Sequence, residues 1–77
     1  MTKSLFSKRY ILIRERLLSE RNKAGLSQRV LAEKLGVNQT YVSKYELGER
    51  RLDLAEFLDV AEAIGFDPVV FIKNLQK

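Results

Sequence analysis

Residues 35–51 read "LGVNQTYVSKYELGERR". Gly36 stops one apolar-periodic segment, Asn38 opens the next, and Gly48 stops that one in turn. Glycine ends helices because it enters the left-handed region at little steric cost, and asparagine is a favoured N-cap. The pattern predicts a helix over Gln39–Leu47, joined to the preceding one by the short glycine-containing turn "LGVN". That is the length of a helix-turn-helix, in which the second helix can lie in a DNA major groove.

The two faces of this helix differ in kind. Gln39, Thr40, Ser43, Lys44 and Leu47 fall at i, i+1, i+4, i+5 and i+8 and share one face, while Val42, Tyr45 and Glu46 lie on another. The first face is rich in groups that read base edges. Glutamine bonds adenine N6 and N7, lysine donates to guanine O6 and N7, and serine and threonine do either. An ordinary solvated face carries Glu/Lys pairs at four-residue spacing; this one has none. Leu47 is the exception, an apolar side chain with no hydrogen bond to offer.

Helical periodicity extends outward on both sides. Upstream, a first helix is expected from about Ser7 to Lys23, with Tyr10, Ile13, Leu17 and Ala24 as its buried stripe and Ile11 and Leu18 as a second. Gly25 ends it and Ser27 caps a second helix, whose inner face is Val30, Leu31 and Leu35. Downstream, Asp53 and Glu56 form a capping box opening a fourth helix with Leu54, Phe57, Leu58, Ala61 and Ile64 on its apolar face. Gly65 ends that helix. Asp67-Pro68 starts a fifth, running to about Leu75, since proline suits the first helical position. Five short helices without strand signals make an all-α chain, expected to be a single domain over residues 1–77 with its core at about 8–75.

Composition excludes several chemistries. The 77 residues hold no cysteine and no histidine, so Ser-His and Cys-His catalysis and thiolate or imidazole metal sites are ruled out. No enzyme activity, metal, cofactor or small-molecule ligand is expected. The longest apolar runs, Tyr10–Ile13 and Val69–Ile72, fall far short of the roughly 20 residues that span a bilayer. With Arg14, Glu15 and Arg16 interrupting the N-terminal segment, no targeting signal is read and a cytoplasmic location is expected. The net charge of +4 is unevenly placed. Residues 1–26 carry seven basic and two acidic side chains, and residues 53–77 carry two basic and five acidic ones. A basic front and an acidic rear suit a polyanionic partner.

Phosphate contacts should flank the base-reading face. Ser27 and Gln28 stand at a helix N-terminus, where free N–H groups and the positive dipole end attract phosphate. Arg50 and Arg51 follow the third helix in a loop that can reach the DNA backbone, and Arg50 can also enter the neighbouring groove. The Tyr41 hydroxyl can bond a phosphate, or its ring can pack on the second helix; the sequence leaves both open.

The stretch "KAGLSQRVLAEKLGVNQTYVSKYELGERRLDL" resembles the repressor/Cro-type, XRE-like helix-turn-helix regulators. The marks are Arg21, "GLSQ" at Gly25–Gln28, "LAEKLGV" at Leu31–Val37, "VSKYE" at Val42–Glu46, Gly48 and "AIGFDP" at Ala63–Pro68. The resemblance implies a five-helix lambda-repressor-like fold that binds double-stranded DNA with helices two and three. It also implies base-reading roles for Gln39, Thr40 and Lys44, with Ser43 beside them, and a phosphate contact at Gln28. Arg21 and Glu46 match a buried ion pair tying helix one to the recognition helix. Glu20, Leu18 and Leu47 depart from the family pattern.

Helix five is apolar on more than one face, so Val70 or Phe71 is expected to pair with a twofold mate. A homodimer on a palindromic operator is the resulting picture. Phage regulator and restriction–modification controller are both consistent with it. The competing reading is an antitoxin-type protein-interaction module that also autoregulates its promoter.

Overall fold

The structure, a computed structural model, describes residues 7–76. They form five α-helices: α1 (Lys8–Lys23), α2 (Gln28–Leu35), α3 (Gln39–Leu47), α4 (Leu54–Ile64) and α5 (Pro68–Leu75). Each begins where a short polar side chain takes up an orphan backbone N–H. Ser7 Oγ accepts from Tyr10 N at 3.2 Å, Ser27 Oγ from Val30 N at 3.1 Å and Asn38 Oδ1 from Tyr41 N at 3.3 Å. Asp53 and Glu56 make the reciprocal capping box, and Asp67 Oδ1 accepts from Val69 N at 2.8 Å ahead of α5. The turn between α2 and α3 closes because Gly36 adopts φ +72, which lets Val37 N reach back to Ala32 O at 3.0 Å.

Helices α2 and α3 pack on each other, with α1 against α3 and α4 against α2. Their shared core is Leu17, Leu31, Ala32, Val42, Tyr45, Val60 and Phe71. Phe57, Phe66 and Phe71 close the bottom as an aromatic cluster with centroids 5.0–6.1 Å apart.

Three expected faces are rotated or shortened. Ala24 is exposed, because it is the C-cap of α1 and stands beyond the last buried turn. On α4 the inward residues are Val60 and Ala61, flanked by Phe57 and Ile64, while Leu54 and Leu58 face solvent. Phe57, Val60, Ala61 and Ile64 follow a three-one-three spacing that fits one helix face as well as the expected set does, and Val60 joins the core cluster with Phe57 packed against it. On α5, Phe71 was expected at a subunit interface, but only 6% of it is exposed. Its ring is taken up by Phe57 and Phe66, so it belongs to the core; Val70, 51% exposed, does not.

Candidate nucleic-acid interface

The third helix is held by one face and offers the other. Inward, Val42 and Tyr45 are fully buried and Glu46 is 7% exposed. Outward, Gln39, Thr40 and Lys44 are exposed, with Ser43 half-buried beside them. Leu47 completes this face, 60% exposed. The side chains singled out in the sequence for base contact therefore stand together on one side of α3, with no core function competing for the exposed three.

The attachment is centred on Glu46. Arg21 Nε donates to Glu46 Oε2 at 2.7 Å and Arg21 Nη2 to Oε1 at 3.0 Å, a two-pronged pair in which Arg21 is only 9% exposed. The remaining prong, Nη1, donates to Leu26 O at 2.8 Å. Hydrogen bonding to Glu46 holds the guanidinium pKa above its ordinary value, against the opposing effect of burial. Such a planar fork-to-carboxylate pair fixes orientation as well as distance.

The same carboxylate reaches the outer face through a relay that sequence reasoning missed. Gln28 Nε2 donates to Glu46 Oε1 at 2.8 Å, and Gln39 Nε2 donates to Gln28 Oε1 at 3.3 Å. The first residue of α2 and the first of α3 are thus tied to each other and to the buried pair. An amide offers two N–H groups and two lone pairs. Gln28 therefore keeps one donor for a phosphate, and Gln39 keeps one donor and its oxygen for a base.

The exit loop differs from expectation. Arg50 was expected to be a cation reaching for the DNA backbone. Instead Nη1 and Nη2 bond Glu56 Oε1 and Oε2 at 3.2 and 2.5 Å, and the guanidinium lies 4.5 Å over the Tyr41 ring. Glu56 Oε1 also accepts from Asp53 N at 2.9 Å, so one carboxylate closes the α4 capping box and neutralises Arg50. The Tyr41 ring stands edge-on to Tyr45 at 6.2 Å and under the Arg50 guanidinium. Arg51 is exposed and its guanidinium sits 4.7 Å over the Tyr10 ring, whose hydroxyl donates to Arg50 O at 3.0 Å.

Glu56 gives this loop a pH dependence. The Arg50 hydrogen bonds, and then the Asp53 N–H, hold its carboxyl below the ordinary value of 4.5. A depressed carboxylate pKa stabilises the fold above the unfolded value, and that contribution is lost as pH falls through the lower folded value. Urea unfolding at a series of pH values should therefore show Glu56→Gln less stable than wild type at pH 7. The gap should begin to narrow near pH 4.5 and vanish once the carboxyl is protonated in the folded protein. A gap constant with pH would mean that the ion pair does not contribute.

The sequence profile described as helix-turn-helix matches residues 17–71, from the middle of α1 into α5. The chain belongs to the helix-turn-helix family. Within it, an XRE-family like protein from Pseudomonas syringae pv. tomato str. DC3000 superposes with TM-score 0.86 at 44% identity, covering 88% of this chain and 83% of that one. The restriction-modification controller protein C.Esp1396I superposes with TM-score 0.81 at 25% identity, covering 90% and 91%. The restriction-modification controller protein C.AhdI from Aeromonas hydrophila gives 0.74 at 31% identity, covering 84% and 99%. No curated protein matches the sequence. This helix-turn-helix chain is thus placed among XRE-type, DNA-binding transcription regulators. No helix among the described residues is long and apolar enough to cross a membrane. Nor do the described residues contain a cluster of three or more His, Cys, Asp or Glu that would hold a metal.

Proposed function

We propose that this helix-turn-helix chain regulates transcription by seating α3 in the major groove of a specific double-stranded site. The observation that carries the reading is the division of α3: Gln39, Thr40 and Lys44 are exposed on one face while Glu46 is locked to Arg21 on the other. A helix anchored this rigidly delivers its outer side chains at a defined depth and angle, which base readout requires. Gln39, Thr40 and Lys44 select bases, with Ser43 adjacent. Ser27, Gln28, Tyr41 and Arg51 set the register on phosphates. Arg50 joins them only by exchanging Glu56 for a phosphate oxygen.

The active form is a homodimer on a palindromic operator, with half-sites about 34 Å apart or a multiple of that. Exposed apolar side chains on α4 and α5 support the pairing. Leu54 and Ile72 flank one groove of about 310 Å³ that Phe57, Leu75 and Ile13 also line. Leu58 stands one turn along α4 and Val69 one turn back along α5, both exposed. Val70 extends the apolar surface of α5 on its other side, next to Arg16 and Glu20.

Titrating variants onto the preferred duplex tests the assignment. Lys44→Ala and Gln39→Ala should each lose roughly 1–3 kcal/mol on that duplex and relax the preference at one base pair. Arg51→Ala should instead weaken all duplexes alike and reduce the log–log salt slope by about 0.9. An unchanged base preference in Lys44→Ala would remove that residue from the reading set.

A further inference from the structure

Arg14 is a second arginine of α1 that reaches α3, and neither the base-reading face nor the Arg21 pair accounts for it. Its Nη1 donates to the backbone carbonyl of Glu46 at 3.0 Å. Arg14 and Arg21 are seven residues apart, two turns along one face of α1, and they converge on the same residue of α3 from outside and inside. Arg21 holds the Glu46 carboxylate; Arg14 holds the Glu46 main chain.

The carbonyl it takes is one the helix leaves open. The last four C=O groups of a helix have no intrahelical partner. The capping turn at Gly48 supplies N–H groups to two of those in α3: Glu49 N bonds Lys44 O at 2.9 Å and Gly48 N bonds Tyr45 O at 3.2 Å. Glu46 O receives the arginine instead. A cation at this end also opposes the negative end of the helix dipole. The approach is tight: a Cβ on Gly48 would stand 2.9 Å from Arg14 Nε and 3.2 Å from its Cδ.

We infer that Arg14 is a positioning residue for the recognition helix, acting with Arg21 as the second of two fixed points. A bond to the Glu46 carboxylate alone passes through that side chain's torsions and leaves α3 able to roll and slide beneath it. A bond to the Glu46 carbonyl acts on the helix axis directly. The two together set how far Lys44 and Gln39 project, without Arg14 touching DNA. This rests on the major-groove reading above.

The test measures binding of Arg14→Met, Arg14→Lys and wild type to the preferred duplex and to an unrelated duplex over a range of salt. Arg14→Met should bind the preferred duplex about tenfold more weakly, the lower end of what one well-placed base contact contributes. Its affinity for the unrelated duplex and its salt slope should stay at wild-type values, and Arg14→Lys should recover most of the loss. Gly48→Ala should reproduce the loss by displacing the guanidinium. Gly25→Ala should not: it has a similar positive φ of +73 but open space around the added carbon. Equal weakening on both duplexes with a slope smaller by about 0.9 would make Arg14 a phosphate ligand and overturn the inference. A lower melting temperature with unchanged discrimination would overturn it too, leaving only a stability contact. If wild type shows no sequence preference, the major-groove reading itself fails. The amide NMR shifts of the free protein then decide Arg14: changes spread over Gln39–Leu47 in Arg14→Met support positioning, and changes confined to Glu46–Gly48 contradict it.

Discussion

Glu46→Ala should destabilise the protein by about 3–5 kcal/mol, because it strands a buried guanidinium without its counter-charge. Arg21 is only 9% exposed and spends two of its three nitrogens on Glu46. The substitution also deprives Gln28 Nε2 of its acceptor, and through Gln28 it loosens Gln39. For a small domain such a loss is a large share of the total stability, commonly about 5–15 kcal/mol. Urea unfolding at neutral pH measures it. The reverse experiment separates the worth of the pair from the cost of breaking it. Replacing Arg21 and Glu46 together by apolar residues of similar volume should recover most of the stability, since a buried ion pair gives little net stabilisation over a packed apolar pair. The double variant should still lose DNA discrimination, because its stability returns without the fixed angle of α3. If Glu46→Ala unfolds like wild type, the pair is not what ties α3 to α1.

Phe71→Ala should cost about 3–5 kcal/mol, the usual loss for a buried aromatic ring. Phe71 stacks on Phe66 at 5.0 Å and meets Phe57 at 5.3 Å, so its removal opens a cavity beneath α1 and α4. Its neighbour Val70 is half exposed, and Val70→Ala should change stability by no more than about 0.5 kcal/mol. Ile72→Glu should likewise leave the monomer folded while shifting sedimentation at micromolar concentration toward the monomer. The three variants divide one apolar run into core and interface. Comparable destabilisation by Phe71→Ala and Val70→Ala would mean that α5 is turned differently from its position here.

The contrast along α5 shows what kind of information a single sequence carries. Helix limits were legible because caps and stops are local chemistry: Ser27, Asn38, Asp53 and Asp67 each bond an N–H two or three residues away. The division of α3 into two faces was legible for the same reason, since rotation per residue assigns side chains to faces before any partner is known. Rotation about a helix axis in the folded chain was not. The run Val69–Ile72 offers an apolar side chain in every direction, and only the placement of Phe57 and Phe66 selects Phe71 as the buried one. On α4, Leu54 and Leu58 fit an apolar stripe as well as Val60 does.

Long-range polar contacts were the least visible. The Arg21–Glu46 pair came from family resemblance; composition alone leaves Arg21 a surface charge. Arg14 carried a weaker signal, its seven-residue spacing from Arg21 on the same face, which gains meaning only once Arg21 has a partner. Arg50 illustrates a competition that sequence cannot decide. A loop arginine beside a recognition helix suits phosphate, but the glutamate of the next capping box lies within reach, and in the free chain it holds the guanidinium. Leu47, odd in the sequence, stays odd in the fold: it is a large apolar side chain exposed at the end of the outer face of α3.

Binding-site selection from random DNA duplexes decides whether α3 reads a sequence. Major-groove reading by a dimer should enrich a palindromic consensus whose half-sites lie one or more helical turns apart, with a preference that changes at one position per half-site in Lys44→Ala. Recovery of no consensus, or of one that Gln39→Ala and Lys44→Ala leave unaltered, would contradict it.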